Sequence, residues 1–387
     1  MKKLSADYIF DGFQLHENAV LVTNVDGTIE GVFSESDFEL SETEHYKGIL
    51  APGFVNAHCH LELSHLKNVI PRKTGLPGFI RKIPDMRHFP QEKIIEAASA
   101  ADRQMKENGI VAVGDISNTT DSFSVKQKSS IYYHTFIETY GFAPFKAQKA
   151  FDNAVDMLSR AEKAGLNASI VPHAPYSVSD ALFQLLKKYY AKTPSLISIH
   201  NQETETENEM FIHGKGELLE ILKDFGNDVR HWKAQGKSAL LSVLDYLDNN
   251  SKVIFVHNTF TSPSEINLAE KRLSETYWCI CPKANLYIED TLPSVDRFME
   301  VTDNICIGTD SLASNNTLSI VEEIETLRLH FPHIGLSELL RFATINGAKA
   351  LGIDTVFGSF EKGKKPGINL LTFNGASSRL SGVKRLM

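Results

Sequence analysis

Eight short β-rich runs, separated by longer amphipathic stretches, lie between residues 51 and 352 and predict an α/β protein built as a (β/α)8 TIM barrel. β-like text with glycine turns brackets that region, in residues 1–50 and again in 353–387, so the two ends together should build one small β-sandwich-like domain. Polar residues suited to catalysis close several of the eight runs, which is where barrel active sites lie.

The first fifty residues carry ADYIF, AVLVTNV, the turn Asp26-Gly27 and TIEGVF. The eight runs follow: GFVNAHCH (53–60), GIVAVGDIS (109–117), IYYHTFIETYG (131–141), NASIVPHAPYS (167–177), SLISIHNQE (195–203), KVIFVHNT (252–259), YWCICPKAN (277–285) and NICIGTDS (304–311). Apolar residues at helical spacing mark Gln91–Asn108, which stops before Gly109, then Phe151–Ala164, Ser179–Ala191, Ser262–Glu275 and Leu318–Leu329. Ser337–Leu351 opens on a serine N-cap and ends at Gly352. Gly358, Gly363 and Gly367 punctuate the tail. The expected organisation is therefore a barrel over 51–352, with 1–50 and 353–387 as the two parts of the β domain.

Of the 387 residues 42% are hydrophobic and 23% charged, which excludes collagen-like, coiled-coil and wholly disordered classes. No run reaches the ~18 apolar residues of a membrane helix. The opening MKKLSADYIF lacks the apolar stretch of a secretory signal. Forty basic against 48 acidic side chains give a net charge of −8, which argues against a general nucleic-acid-binding surface. Cys59, Cys279, Cys281 and Cys306 show neither a C-x-x-C pair nor a disulfide framework, so a cytoplasmic location is expected. All four read as buried strand residues, Cys279 and Cys281 sharing one face of run 7.

Among the fourteen histidines, His58 and His60 close run 1, His173 lies in run 4, His200 closes run 5 and His257 closes run 6, while Asp310 closes run 8. His58-Cys59-His60 is an i, i+2 pair, so both imidazoles point to one face of a strand and Cys59 to the other. Two adjacent imidazoles start a metal site with Zn–N near ~2.0–2.1 Å. An isolated H-x-H is more often a pair of hydrogen-bonded core histidines, but the matching residues at the ends of runs 5 and 8 outweigh that reading. His200 and Asp310 complete a shell of three imidazoles and one carboxylate with room for water. Such an open site suits hydrolysis, because a divalent cation lowers the pKa of water from ~15.7 toward ~7. Asp310 would bind the metal and take a proton from the water, although a lone strand-end aspartate is as often a helix cap. Glu203, three residues after His200, supplies the general acid/base help needed to expel a poor leaving group such as ammonia. Glu205, Glu207 and Glu209 read as a solvated acidic loop. His257 fits a role in orienting or polarising the attacking water; the ordinary alternative is a satisfied core histidine.

The text APGFVNAHCH, VPHAPYSVS, HNQE, VIFVHNT, CPKANLYI, GTDSLASNN and ATINGAKALG resembles the amidohydrolase superfamily, specifically its mononuclear deaminase branch. The tail FGSFEKGKKPGINLL is similar to the family's closing segment. This resemblance covers nearly the whole chain. It implies a (β/α)8 barrel with a β domain from both termini, and one divalent metal on His58, His60, His200 and Asp310. Zinc is the first choice of metal, with iron or manganese as alternatives. It also implies Glu203 as proton shuttle and His257 facing the attacking hydroxide. Binuclear members commonly bridge two metals with a carboxylated lysine, and run 4 has no lysine; Glu138 in run 3 is the remaining candidate bridge. Zinc cytidine-type deaminases need H-x-E with P-C-x-x-C, and His60-Leu61-Glu62 supplies only the first half.

PHAPYSVS and GTDSLASNN look like deaminases of adenine-bearing nucleosides: S-adenosylhomocysteine, methylthioadenosine and aminodeoxyfutalosine. HCHLELSHL with GTDSLASN leans towards the aminodeoxyfutalosine type, which implies menaquinone synthesis. Two departures are Ser311-Leu312 in place of Gly-Ala, and Gly367-Ile368-Asn369 where the family usually ends in Ala-Asp. For substrate contacts, His173 is the candidate for a ring or sugar oxygen. Glu62 is the candidate for ribose hydroxyls, against a structural ion pair. Residues 66–90 hold Arg72, Arg81 and Arg87 among Gly75, Pro77, Gly78 and Pro84, and read as an irregular lid or specificity loop. There an arginine such as Arg72 would bind the carboxylate of aminodeoxyfutalosine, although each arginine alone reads as a surface charge.

The expected protein is a metal-dependent hydrolytic deaminase acting on a small-molecule aminopurine nucleoside, with no nucleic-acid or membrane partner; homodimers are common among similar proteins. The alternatives are an S-adenosylhomocysteine/methylthioadenosine or guanine-type deaminase, a related hydrolase cleaving a C–Cl, C–N or amide bond, and a non-catalytic metal-binding barrel.

Overall fold

The computed structural model describes residues 1–39, 41, 43–86, 89–247, 249–374 and 379–387. Five strands come first: β1 (Lys2–Phe10), β2 (Leu15–His16), β3 (Ala19–Thr23), β4 (Ile29–Ser34) and β5 (Glu44–Pro52). The barrel strands are β6 (Phe54–Cys59), β7 (Ile110–Ser117), β8 (Tyr132–Thr139), β9 (Asn167–Pro172), β10 (Leu196–Asn201), β11 (Lys252–His257), β12 (Glu275–Ile280) and β13 (Ile305–Ile307). The chain ends with β14 (Ile368–Phe373) and β15 (Leu380–Arg385).

The terminal strands form one seven-stranded sheet in the order β15-β14-β5-β1-β3-β4, with β2 on β1. Leu4, Ile9, Leu21, Ile29, Leu50, Ile368 and Leu370 bury its apolar face. β5 runs almost directly into the first barrel strand through Gly53, where an added Cβ would sit 2.3 Å from Val111 and 2.6 Å from the Pro366 carbonyl. Asn369, where the tail departs from the family text, is fully buried and donates to the Gly109 carbonyl at 2.8 Å. It therefore ties the terminal sheet to the N-terminal rim of the barrel.

The barrel consists of two parallel four-stranded sheets, β6-β7-β8-β9 and β10-β11-β12-β13. Backbone bonds at the strand ends close the two seams: His200 N–H donates to His173 at 2.9 Å, and Thr309 and Asp310 N–H both donate to His58 at 3.1 Å. Val55, Ala57, Phe136, Ile254, Val256, Cys279 and Cys306 fill the interior, while Phe54, Ile137, Phe255 and Trp278 face the surrounding helices. All four cysteines are free and buried. Among the described residues no helix is long and apolar enough to cross a membrane.

Three segments differ from the expected layout. The stretch 66–90 contains a helix, Gly75–Met86, because Pro77 lies in its first turn, where a missing N–H costs nothing. The expected helix Ser337–Leu351 is two helices, Leu336–Ala343 and Ile345–Ala350, divided at Thr344 (φ −129°, ψ −91°). The tail of run 7 is helical over Pro282–Ile288, with proline again at the start. After β10 the chain makes an excursion through the helices Glu205–His213, Glu217–Asp224 and Ala239–Val243. Arg81 reaches both Glu217 and Asp224 at 3.2 Å and fastens the Gly75–Met86 helix to that excursion.

Candidate active site

Strict alternation along β6 turns Val55 and Ala57 into the barrel and would send His58 outward. The β6–β7 register shifts between Asn56 and Cys59, and this irregularity re-aims the strand. Beyond it Cys59 packs in the outer core, while His58 and His60 converge on the barrel axis. Neither β10 nor the approach to Asp310 needs such a device. Leu196 packs inward and His200 keeps its phase, and Cys306 stands in the same relation to Asp310. Four non-glycine residues at these strand ends have left-handed backbones: Gln202 (φ 44°), His257 (71°), Asn258 (58°) and Asp310 (55°). Each costs ~1–3 kcal/mol, and such strain persists only where surrounding contacts hold it. Here they do. Gln202 donates to Asn208 and Glu265, both at 3.0 Å, and accepts from Thr261 at 2.7 Å, while Asn258 donates to the Phe255 carbonyl at 2.8 Å.

The resulting cluster is compact. His60 Nε2 lies 3.1 Å from His58 Nε2, 3.3 Å from His200 Nε2 and 3.4 Å from Asp310 Oδ1, and His58 Nε2 is 3.7 Å from the same oxygen. A tetrahedral shell with metal–ligand bonds of ~2.0–2.1 Å has ligand–ligand edges of roughly 3.3–3.4 Å. The three imidazole nitrogens lie within 4.8 Å of one another, and Asp310 joins them through its approach to His60 and His58. His200 Nδ1 faces the His173 carbonyl at 3.1 Å, so it carries the proton and leaves the Nε2 lone pair for the cluster. Burial pushes His60 and His200 well below the usual histidine range, which makes both neutral bases. Burial alone would raise the Asp310 carboxyl, but the hydrogen bond with His58 and the neighbouring imidazoles of His60 and His257 hold it well below the carboxylate range. Ser314 donates to its other oxygen at 2.5 Å. The donor set fits one divalent cation.

Glu203 is buried beside this cluster, with Oε2 3.6 Å from His257 Nε2 and Oε1 without a hydrogen-bond partner. Burial, reinforced by Asp310, Glu289 and Glu207, pushes its carboxyl well above the usual range. Burial lowers His257 to about 4, so its imidazole is neutral at physiological pH. His60, His200, Glu203, His257 and Asp310 line a cavity of about 980 Å³, together with His173, Glu138 and Tyr176. His173 Nδ1 lies 2.7 Å from Ser177 Oγ.

Glu62 and Arg72 are placed differently from expectation. Glu62 is buried under the barrel rim and accepts from Asn118 N–H at 2.9 Å and from Thr119 N–H and Oγ at 3.1 Å; it does not line the cavity. Those donors make it a loop anchor. Arg72 is exposed, with its guanidinium 5.3 Å from the Tyr287 ring, and is also absent from the cavity wall. Arg81 is committed to its two carboxylates, and Arg87 lies outside the described residues. The acidic stretch after Glu203 is only partly solvated: Glu205 is exposed, whereas Glu207 is buried and its carboxyl is raised by that burial to about 8.

In the sequence Glu138 stands out only as a candidate metal bridge. It lies in the cavity wall, with Oε1 3.7 Å from His200 Nδ1 and Oε2 accepting from Asn118 at 2.7 Å. Its place at the end of β8 was the available signal. Ser314, four residues after Asp310, had none.

The amidohydrolase family model matches residues 49–384, and the chain belongs to that family. An adenosine deaminase of Helicobacter pylori is 27% identical over 332 residues, 84% of this chain and 79% of that protein. An aminodeoxyfutalosine deaminase of Deinococcus radiodurans is 26% identical over 325 residues, 81% and 76% of the two chains. The crystal structure of Helicobacter pylori aminofutalosine deaminase in complex with methylthio-coformycin shares the fold, with a TM-score of 0.85 and 22% identity over 100% of both chains.

Proposed function

We propose that this amidohydrolase is a hydrolytic deaminase that releases ammonia from an aminopurine nucleoside, of the aminodeoxyfutalosine type in the first instance. The observation that carries this reading is the juxtaposition of the four-donor cluster with Glu203, whose free oxygen shares the cavity floor with it. The deaminase relatives and the motif text support the same chemistry. His58, His60, His200 and Asp310 would hold one divalent cation, zinc by choice of donors, with iron or manganese as alternatives. Such an ion, when bound, supplies a water nucleophile near neutral pH.

The protein side chains then handle the protons. Water adds to the amino-bearing ring carbon. Glu203 Oε1 takes a proton from that water and delivers it to the adjacent ring nitrogen, a service its raised carboxyl suits. Neutral His257 Nε2, beside Glu203, orients the added hydroxyl. Asp310 carries the hydroxyl proton to the amino group, the C–N bond breaks, ammonia leaves and the carbonyl forms. His173 offers a hydrogen bond to a ring or sugar oxygen from the wall.

The test is ammonia release by metal-replete protein from aminodeoxyfutalosine, S-adenosylhomocysteine, methylthioadenosine, adenosine, guanine and cytosine. One adenine nucleoside should reach kcat/KM above ~10⁴ M⁻¹s⁻¹. No ammonia from any of them, with metal bound, removes the deaminase reading in favour of a related hydrolase.

A further inference from the structure

We propose that Asp115 is the positioning residue for His60, with Lys126 balancing and fixing its carboxylate, so that this buried pair sets the affinity of the donor cluster for its cation. The inference rests on the metal-site reading above and adds two residues that donor spacing does not identify.

His60 stands just past the end of β6, at the entry to a short 3₁₀ helix, Leu61–Leu66. The other donors of the cluster are gripped from outside it. The His58 carbonyl accepts from the Thr309 and Asp310 N–H groups across the seam, and His200 Nδ1 faces the His173 carbonyl. Among the described residues, the polar contacts of the His60 ring run only to His58, His200 and Asp310. Its direction therefore follows from the backbone on either side of it.

Asp115 controls that backbone twice. The β6–β7 ladder is interrupted after Asn56 and resumes with Cys59, the residue before His60, opposite Asp115. The residue after His60 is held by the Asp115 side chain, whose Oδ1 accepts from the Leu61 N–H at 2.7 Å. One β7 residue thus brackets His60, by its strand register on one side and its carboxylate on the other. The carboxylate is fixed in turn. Its Oδ2 lies 2.5 Å from Lys126 Nζ, which also donates to Ser117 Oγ at 2.8 Å and Thr135 Oγ1 at 3.2 Å. An ammonium has three donors, and all three are committed here, two to β7 and one to β8. Both side chains of the pair are fully buried.

A buried ion pair is a costly way to fill a barrel wall, because desolvation offsets much of the attraction and apolar residues of similar volume often serve as well. An apolar pair, however, would leave the Leu61 N–H without its acceptor and His60 unbraced at the strand end. His60 Nε2 meets three other donor atoms at 3.1, 3.3 and 3.4 Å, so a shift of its backbone disturbs all three spacings together. Groups that hold metal ligands in place typically account for ~10–100-fold in metal affinity.

The probe is Zn²⁺, titrated into metal-depleted protein against a chromophoric chelator, with urea unfolding of each preparation as a check on the fold. Two double variants share the loss of the lysine and differ in whether residue 115 can accept a hydrogen bond. Asp115→Asn, Lys126→Met keeps a neutral oxygen for the Leu61 N–H, whereas Asp115→Ala, Lys126→Met has none. The first should lose no more than about threefold in zinc affinity, and the second ~10–100-fold. In Co²⁺-loaded protein the visible band, which reads ligand number and symmetry, should be retained in the first and altered in the second. Ile324→Ala, a buried change on the helix Ile320–His330, lies on neither strand and should leave both readouts as in wild type. Equal zinc affinity in wild type and both double variants overturns the positioning role and leaves the metal site standing. Equal losses in the two double variants, or a matching loss in Ile324→Ala, overturn it in favour of general destabilisation. Wild type that binds no zinc overturns the metal-site reading itself.

Discussion

The backbone N–H of Asp310 donates to the His58 carbonyl at 3.1 Å, and this bond, shared with the Thr309 N–H, closes the barrel between its last and first strands and sets a carboxylate beside two imidazoles. The opposite seam works in the same way, where His200 N–H meets the His173 carbonyl at 2.9 Å. The candidate metal ligands therefore sit on the closure of the fold and not on adaptable loops. Barrel geometry and donor spacing are a single constraint, and a site on rigid elements is held more closely than one on loops.

This arrangement predicts the metal dependence. His200→Ala removes one corner of the donor set and should reduce bound divalent metal from one per chain to a small fraction, measured by plasma mass spectrometry after desalting. The barrel strands should persist, since the seam bond uses the backbone of residue 200. Full metal retention would remove His200 from the ligand set.

Glu207 predicts a pH dependence of stability. Its carboxyl is held protonated to about 8 by burial, whereas in the unfolded chain it ionises near 4.5. Between these values the folded state carries a proton that the unfolded state has lost. Its contribution is fully present below 4.5 and disappears as pH rises to about 8. Glu207→Gln removes the ionisation, so the Tm advantage of the variant over wild type should be larger at pH 8.5 than at pH 5. An advantage independent of pH would contradict the placement of this carboxyl.

Lys126 and Asp115 form an ion pair at 2.5 Å with both side chains fully buried, and Asp115 Oδ1 accepts from the Leu61 N–H at 2.7 Å, one residue past His60. Lys126→Met leaves a buried carboxylate without its cation and should cost ~3–5 kcal/mol in urea unfolding. Adding Asp115→Asn should recover part of that loss. A single-variant cost below ~1 kcal/mol would show that the pair is hydrated.

Much of this was legible in the sequence because barrel strands end in phase. His200 and Asp310 could be read from alternation alone, and the order of the motifs identified the scaffold. The inward turn of His58 and His60 depends on a register shift that no local pattern encodes. Glu62 and Arg72 stand off the cavity wall for a related reason: a side chain two residues past His60, or in a neighbouring loop, goes where its hydrogen-bond donors or ring partners stand. For Glu62 those are Asn118 and Thr119, over fifty residues away. The Gly75–Met86 helix was hidden by Gly75, Pro77, Gly78 and Pro84, residues that usually interrupt helices, and it holds through packing on Glu217–Asp224. The acidic neighbours of Glu207 point to solvent, whereas Glu207 itself lies on the inner, buried face of its helix.

The buried cluster and Glu203 are proposed to deaminate a nucleoside together. The most direct measurement is ammonia release and bound metal, quantified in the same preparations of wild type and Glu203→Gln. About one metal per chain is expected in both proteins, with kcat lower by ~10²–10⁴ in the variant, the usual contribution of general acid/base catalysis. Equal turnover in the two proteins, or turnover that survives removal of the metal, would contradict it.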